Sequence, residues 1–192
     1  MSGPRKNGAG RIRIIGGSLR NSRLDVPELP GLRPTPERVR ETLFNWLAPV
    51  VGGARCLDLC AGTGALGIEA LSRGAAAVQF VERDAKAAQA LRGNLARLKA
   101  GGEVSCADAA VFLRGPAQPH DLVFLDPPFA LDLWSGLARQ LEEGGWLAPA
   151  AWIYVESPRG VTPGLPGHWQ VHKEGVAGEV RHAIHRRQLP LS

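Results

Sequence analysis

The stretch Leu57-Asp58-Leu59-Cys60-Ala61-Gly62-Thr63-Gly64-Ala65-Leu66-Gly67 decides the fold of this 192-residue chain. Its three glycines have the G-x-G-x-x-G spacing, and they lie between a predicted strand at 55–59 and a predicted helix at 64–73. Glycines at such a turn let the backbone approach a ligand closely. Glu82 ends the next predicted strand, 20 residues after the first of these glycines, where an acid binds ribose hydroxyls in dinucleotide folds. The stretch therefore predicts a nucleotide-binding unit.

Segments with strand periodicity alternate with helical segments along the rest of the chain. Strands are predicted at 77–82, 103–106, 122–125 and 152–156, helices at 36–48, 85–99, 108–113 and 131–142, and a closing antiparallel hairpin at 168–175 and 180–188. This alternation, with short apolar strands, is typical of an α/β fold with a Rossmann-like doubly wound sheet. Ligands of such sheets bind at the carboxyl ends of the strands.

A small basic hairpin is predicted ahead of the sheet. Residues 11–15 and 19–26 alternate basic and apolar side chains around a Gly-Gly turn, so the basic side chains share one face. A linker rich in proline and glycine follows at 27–34. Thr35 precedes Pro36, a pattern that predicts a threonine cap and a proline at the first helical position.

Positive charge is concentrated at the start of the chain. The net charge is +5, and residues 1–40 hold nine Lys/Arg against three Asp/Glu, whereas the remaining 152 residues hold 14 against 15. A nearly neutral body with a basic arm is typical of a protein that binds a polyanion such as a nucleic acid. A basic arm that only aids solubility is the alternative.

The composition excludes several classes of protein. Hydrophobic residues make up 44% and charged residues 21% of the chain, which excludes a disordered chain, a collagen-like fibre and a disulfide scaffold. The three cysteines lack C-x-x-C spacing, so no metal site is expected, and Cys56 and Cys60 are predicted to be small buried side chains. No signal peptide or apolar membrane segment is apparent. We therefore expect a reduced, cytoplasmic protein.

An acid directly before the glycine turn favours one ligand class. Asp58 would oppose a pyrophosphate at the start of the following helix, but it suits a ligand with a positive centre. S-adenosylmethionine fits, with Asp58 near its amino acid moiety, Glu82 on its ribose and Asp108 at the exocyclic amine of its adenine. Helix capping is the alternative for Asp58 and Asp108. The predicted cofactor-binding residues are Asp58, Ala61, Gly62, Gly64, Glu82, Arg83, Asp108, Ala109 and Asp126.

The most specific signal is Asp126-Pro127-Pro128-Phe129, directly after four apolar strand residues. The two prolines fix the backbone and end the strand. The Asp126 carboxylate and the Pro127 carbonyl then form two fixed acceptors for one planar NH₂ group, and Phe129 offers a face on which a base can stack. Two acceptors on one amine favour the pyramidal nitrogen that develops during methylation. These four residues are the predicted catalytic set; a proline-terminated strand with a core phenylalanine is the alternative.

The glycine turn and this loop together resemble a class I S-adenosylmethionine-dependent methyltransferase that acts on an exocyclic amine. Segments 11–17, 31–35, 38–47 and 152–156 more narrowly resemble the bacterial 16S ribosomal RNA guanine-N2 methyltransferases of the RsmD type. The resemblance covers residues 11–180, nearly the whole chain. It implies a seven-stranded Rossmann-like sheet with an N-terminal β-hairpin extension, and as substrate one guanine of 16S rRNA within an assembling small ribosomal subunit. We expect a monomer.

The resemblance also gives the basic arm a role. Its first arginines are expected to contact phosphates, and 33–38 is where the family's N-terminal motif meets the cofactor and the target base; helix capping and surface salt bridges are the alternative. The predicted substrate-binding residues are Arg11, Arg13, Arg20, Arg23, Arg33, Thr35 and Arg38. The expected parts are a disordered basic tail at 1–10, an RNA-binding hairpin and linker at 11–34, and a methyltransferase domain at 35–192.

Two other functions stay open from the residues alone. The same loop chemistry serves enzymes that methylate adenine N6 in DNA or RNA, or a protein glutamine. The glycine turn also suits an NAD-dependent oxidoreductase, although the five histidines are late, scattered and predicted to be solvated. The aromatic residue after the prolines is Phe129, where amine methyltransferases often have tyrosine. The basic segment 181–187 is interpreted as a solvated edge strand, with an RNA contact as the alternative.

Overall fold

The computed structural model describes residues 10–189; the expected tail at 1–10 lies outside this range except for its last residue. The strands are β1 Arg11–Arg13, β2 Arg23–Asp25, β3 Arg55–Asp58, β4 Ala77–Glu82, β5 Glu103–Cys106, β6 His120–Leu125, β7 Leu147–Pro158, β8 Trp169–Ala177 and β9 Val180–Arg187. The helices are α1 Glu37–Val51, α2 Ala65–Ser72, α3 Ala85–Leu98, α4 Ala109–Phe112 and α5 Trp134–Glu143, with a 3₁₀ turn at Phe129–Leu131.

Seven of these strands form one sheet in the order β5-β4-β3-β6-β7-β9-β8. The first five are parallel, and β9 runs antiparallel to both β7 and β8. The predicted α/β doubly wound sheet and its N-terminal hairpin are confirmed. The strand order reverses at β3, so the connections after β3 and β6 leave in opposite directions and open a crevice at their carboxyl ends.

Apolar side chains from alternate strand positions build a core on each face of the sheet. One core contains Phe80, Phe124 and Tyr154 with residues of α1, α2 and α3, and the other contains Val123 and Ile153 with residues of α4 and α5. None of the helices within residues 10–189 is long and apolar enough to span a bilayer.

The N-terminal hairpin is part of the first of these cores. Its strands are only three residues each, shorter than the alternation predicts. Ile12 and Leu24 are cross-strand partners and are both buried, together with Ile14 and Val26. Glu69 of α2 accepts hydrogen bonds from the backbone N–H groups after β1, at 3.0–3.1 Å. The hairpin is therefore fixed to the helix that follows the glycine turn.

The start of α1 differs from the prediction. The helix begins at Glu37, and the preceding Pro36 makes no side-chain cap. The Thr35 hydroxyl instead donates to Glu156 Oε1 at 3.1 Å. The threonine cap is therefore wrong, because a tertiary acceptor on β7 binds the hydroxyl that would otherwise have capped the helix.

The closing hairpin also corrects two predictions. The edge strand is β8, whereas the basic segment 181–187 belongs to β9, which pairs on both sides. His120, His182 and His185 are buried rather than solvated, and burial lowers the pKa of each imidazole. His182 stacks on Trp46 of α1 at 5.4 Å between ring centroids. His182 and His185 lie on opposite faces of β9, since side chains alternate along a strand. Arg187 of the same strand is also largely enclosed, because it donates to Glu142 of α5.

Candidate active site

The glycine turn after β3 has a backbone that only glycine adopts easily. Gly62 and Gly64 have φ values of +54° and +78°, in the left-handed region. The turn is closed by a hydrogen bond from Gly64 N–H to the Ala61 carbonyl at 2.8 Å. A Cβ on Gly64 would lie 2.2 Å from Leu91 of α3. The turn therefore holds its backbone close to α3 at the carboxyl edge of the sheet.

Glu82 braces this turn from the end of β4. Its Oε2 accepts from the N–H of Gly62 at 2.7 Å, and its Oε1 accepts from the N–H of Asp84 at 3.0 Å. Asp84 in turn caps α3. Arg83 between them has an exposed side chain. One carboxylate thus fixes both the glycine turn and the loop that follows β4.

Asp58 lies beneath the turn and is 3% exposed. Its Oδ2 accepts from the N–H of Gly67 at 3.1 Å. Asp58 therefore does bind the first turn of α2, as the helix-capping alternative expects. Burial raises the pKa of Asp58 to about 7, and repulsion from Glu82 adds to the rise, while the Gly67 hydrogen bond opposes it. A cationic group placed beside Asp58 would favour its ionised form.

Asp108, after β5, also makes the capping contact. It is exposed, and its carboxylate accepts from the N–H of Val111 at 3.1 Å, which caps the short helix α4. Ala109 opens that helix and is half-buried. Asp108 therefore has a structural role, and its exposure leaves it accessible to a ligand in the crevice.

Cys60 shows that these acids converge on one place. Burial is the main cause that raises the pKa of its thiol, followed by the negative charges of Asp126, Asp58, Glu82 and Asp108. These four carboxyls follow four neighbouring strands. Their convergence forms an acidic crevice with a glycine-rich wall, and these hydrogen-bond acceptors fit a cation that carries a ribose and an exocyclic amine. Cys56, deeper in β3, is buried as predicted, and burial raises its pKa to about 12.

The Asp-Pro-Pro-Phe loop lies at the end of β6, next to this crevice. Pro127 is buried and Asp126 half-buried, whereas Phe129 is 36% exposed. The Phe129 ring lies 5.6 Å from the Trp134 ring, at an angle of 41°. The alternative of a core phenylalanine is therefore wrong, since Phe129 is not buried. Burial raises the pKa of Asp126 well above its usual range, and Glu156 and Asp58 add to the rise.

Glu156, at the end of β7, is a site residue that the sequence argument missed. It lies beside Asp126 within hydrogen-bonding reach and is 7% exposed. Its Oε1 accepts from the Tyr154 hydroxyl at 2.6 Å and from Thr35 Oγ1 at 3.1 Å. The signal was present, since Glu156 ends an apolar strand in the same manner as Asp58 and Glu82.

The linker between β2 and α1 crosses the crevice. Leu32 Cδ1 would lie 3.3 Å from a Cβ on Gly62, and three residues later Thr35 reaches Glu156. Arg33 lies between these two contacts with an exposed side chain. The linker therefore contacts both the glycine turn and the end of β7, and Arg33 is a basic residue between these two contacts.

The predicted RNA-contacting arginines divide into two groups. Arg13 is engaged within the protein: it donates to both Glu37 carboxylate oxygens, at 3.1 and 3.0 Å, and to Asn21 at 3.0 Å. Arg11 forms a longer, exposed ion pair with Asp25 at 3.7 Å. The remaining predicted arginines have exposed side chains; they are Arg20, Arg23, Arg33 and Arg38. Arg13 thus ties the hairpin to α1, and the other five remain accessible.

This sheet order, acidic crevice and proline-fixed loop define an S-adenosylmethionine-dependent methyltransferase. The profile of one family, described as conserved hypothetical protein 95, matches residues 12–186, and this chain belongs to that family. The resemblance to RsmD-type enzymes is confirmed.

Named relatives cover almost the whole chain. Ribosomal RNA small subunit methyltransferase D of Escherichia coli K12 is 50% identical over 98% of this chain and 96% of its own length. The protein of the same name from Haemophilus influenzae is 44% identical over 94% of this chain and 96% of its own length. The solved structure of yhhF from Escherichia coli has 49% identity and a TM-score of 0.87, and the match covers 94% of this chain and 99% of that chain.

Proposed function

We propose that this protein transfers a methyl group from S-adenosylmethionine to the exocyclic N2 amine of a guanine in 16S ribosomal RNA. The observation that supports the proposal is the position of Asp126 and Pro127 at the end of β6, where they would supply two amine acceptors next to a site for a cationic cofactor. The names of these relatives support ribosomal RNA of the small subunit as the substrate.

S-adenosylmethionine supplies an activated methyl group, and S-adenosylhomocysteine is the product. The chain's residues would hold the cofactor by their chemistry: Asp58 suits its ammonium, Glu82 its ribose hydroxyls and Asp108 its adenine amine. The turn at Gly62 and Gly64, with its left-handed backbone, would lie against the cofactor. Ala61, Arg83 and Ala109 adjoin these contacts in the sequence.

The loop residues would orient the base. The Asp126 carboxyl and the Pro127 carbonyl accept from the two N–H bonds of the amine, and Pro128 keeps the loop rigid. Phe129 stacks on the flat face of the base. Holding the amine, a poor nucleophile, in line with the methyl group to be transferred accounts for a large share of the rate acceleration in such reactions. Pre-aimed acceptors add stabilisation where positive charge develops on nitrogen.

The exposed arginines of the hairpin and linker would bind RNA phosphates, and Thr35 would meet the base side of the crevice through Glu156. Such contacts position the substrate without reading its sequence. We propose that the protein acts as a monomer on 16S rRNA within an assembling small subunit, and therefore in the cytoplasm. The names of the relatives refer to ribosomal RNA, which disfavours the DNA adenine alternative.

The test combines a map of methylation with one substitution. Deletion of the gene should remove one N2-methylguanine from 16S rRNA, and the purified wild-type protein should restore it. Asp126→Ala should abolish this transfer while binding of S-adenosylhomocysteine, measured by calorimetry, persists. Turnover close to wild type in Asp126→Ala, or an unchanged 16S rRNA after gene deletion, would contradict the assignment.

A further inference from the structure

The contacts of Glu156 are unusual for a buried carboxylate. Its Oε1 accepts two hydroxyl hydrogen bonds, from Tyr154 and Thr35. Its backbone carbonyl accepts from Trp134 Nε1 at 2.8 Å. Main chain and side chain are thus both fixed, from β7, from α5 and from the segment before α1. Among the described residues, Glu156 is the carboxylate that joins the linker to the end of the sheet.

Asp126 has no such donors within the described residues, and its neighbour is this same Glu156. The two residues follow the register of parallel strands β6 and β7, in which Leu125 pairs with Val155. Their carboxyls therefore meet on the same face of the sheet. Two carboxylates at hydrogen-bonding distance repel each other unless a proton lies between them. Burial and the neighbouring Glu156 raise the pKa of Asp126, so such a proton is held by Asp126 and donated to Glu156.

We propose that Glu156 is a positioning residue for methylation: its hydrogen bond with Asp126 fixes the Asp126 carboxyl so that the other oxygen faces the target amine. The proposal rests on the proposed function only for the identity of that amine. Asp126 itself touches the substrate, and Glu156 acts through it. Without Glu156 the Asp126 side chain can rotate about its χ angles, and an acceptor misplaced by about 1 Å costs about 10²-fold in rate.

Among the described residues, four titratable groups lie close enough to Asp126 to affect its pKa. Glu156 and Tyr154 face it from β7, and Asp58 faces it from β3. Cys60, in the glycine turn, lies within electrostatic range. Removal of the charge of Glu156 lowers the cost of ionising Asp126, because the nearest negative neighbour is lost.

The experiment compares Glu156→Ala, Glu156→Gln and a control, Glu179→Gln, which lies on the exposed turn between β8 and β9. Glutamine keeps a carbonyl for Tyr154 and Thr35 and offers an N–H to Asp126. We expect Glu156→Ala to lower kcat about 10²-fold while KM for RNA and binding of S-adenosylhomocysteine stay within threefold. We expect Glu156→Gln to recover most of kcat, with a pH profile of kcat that differs from that of the wild type. The control should match wild type.

A second measurement does not depend on the substrate. In protein labelled with ¹³C at aspartate carboxyls, the Asp126 signal of the wild type should titrate above the usual aspartate range, and in Glu156→Gln its midpoint should fall. An unmoved midpoint, or pH profiles that superimpose in wild type and Glu156→Gln, would overturn the proposal. So would Glu156→Ala turnover within threefold of wild type, in a protein with unchanged circular dichroism. If no RNA is methylated by the wild type, the function has failed, and the titration alone decides the positioning role.

Discussion

The ion pair beneath the hairpin allows a stability prediction worked from the structure. Glu69 is fully buried, and it accepts from Ile15, Gly16 and Arg73. Arg40 of α1 is 1% exposed, and its Nη1 lies 3.8 Å from Glu69 Oε2. Burial lowers the pKa of Arg40, although Glu69 opposes the change. Glu69→Ala would leave the Arg40 guanidinium buried without its counter-charge.

The expected cost of Glu69→Ala is about 4 kcal/mol, since removal of one partner of a buried pair costs about 3–5 kcal/mol. Arg73, at 20% side-chain exposure, can turn to water and adds little. For a domain of this size about 1 kcal/mol corresponds to about 2–4 °C, so the melting temperature should fall by about 8–16 °C. The free energy of unfolding is measured by urea denaturation with fluorescence detection.

Two controls separate the buried charge from loss of packing. Glu143→Ala removes an exposed acid of α5 and should change stability by less than about 0.5 kcal/mol. The double variant Arg40→Met with Glu69→Met removes both charges and should cost less than Glu69→Ala alone. If Glu69→Ala costs under about 1 kcal/mol, the hairpin is not held by this pair and the reasoning fails.

Three further predictions concern the crevice and the basic surface. The pKa of Asp58 is raised to about 7 from an ordinary 3.8, so between these pH values the folded state binds a proton that the unfolded state has lost, and the wild type loses stability as pH rises. The urea midpoint of Asp58→Asn should therefore rise relative to that of the wild type across this pH range and stay higher above it. A difference in midpoint that does not depend on pH would contradict the burial argument. Substitution of the exposed arginines Arg20, Arg23 and Arg33 by glutamine should reduce the slope of log affinity for RNA against log salt by about 0.7 per lost phosphate contact, whereas an unchanged slope would place the RNA surface elsewhere. S-adenosylhomocysteine at about 100 times its Kd should stabilise the protein by about 2.7 kcal/mol, and a melting shift with NAD alone would overturn the cofactor assignment.

Substitution of charge, rather than deletion, is the appropriate test of the basic arm. Ile12, Ile14, Leu24 and Val26 of the hairpin belong to the core that α1 and α2 complete. Removal of the hairpin would expose that core, and any loss of RNA affinity would then reflect partial unfolding. Single arginine side chains on its outer face can be neutralised with small effects on stability.

The sequence by itself determined the elements whose causes are local. The glycine spacing at 62–67, the acid that precedes it and the prolines after Asp126 each act on their own backbone. Strand and helix periods then sufficed to predict a doubly wound sheet and the edge at which ligands bind. The predicted carboxyls do meet at that edge, because the ends of parallel strands lie side by side.

Only the tertiary structure decided contacts between distant residues. Thr35 and Glu156 are 121 positions apart, so no local pattern could show that the threonine leaves its helix and joins the carboxyl beside Asp126. The same holds for Arg13, which the sequence predicts to bind RNA and which instead donates to Glu37. It also holds for β9, which pairs with a strand on each side. Side-chain periodicity reports which face of an element is buried, whereas the partner on that face is chosen by sheet order and packing, which depend on the whole chain at once.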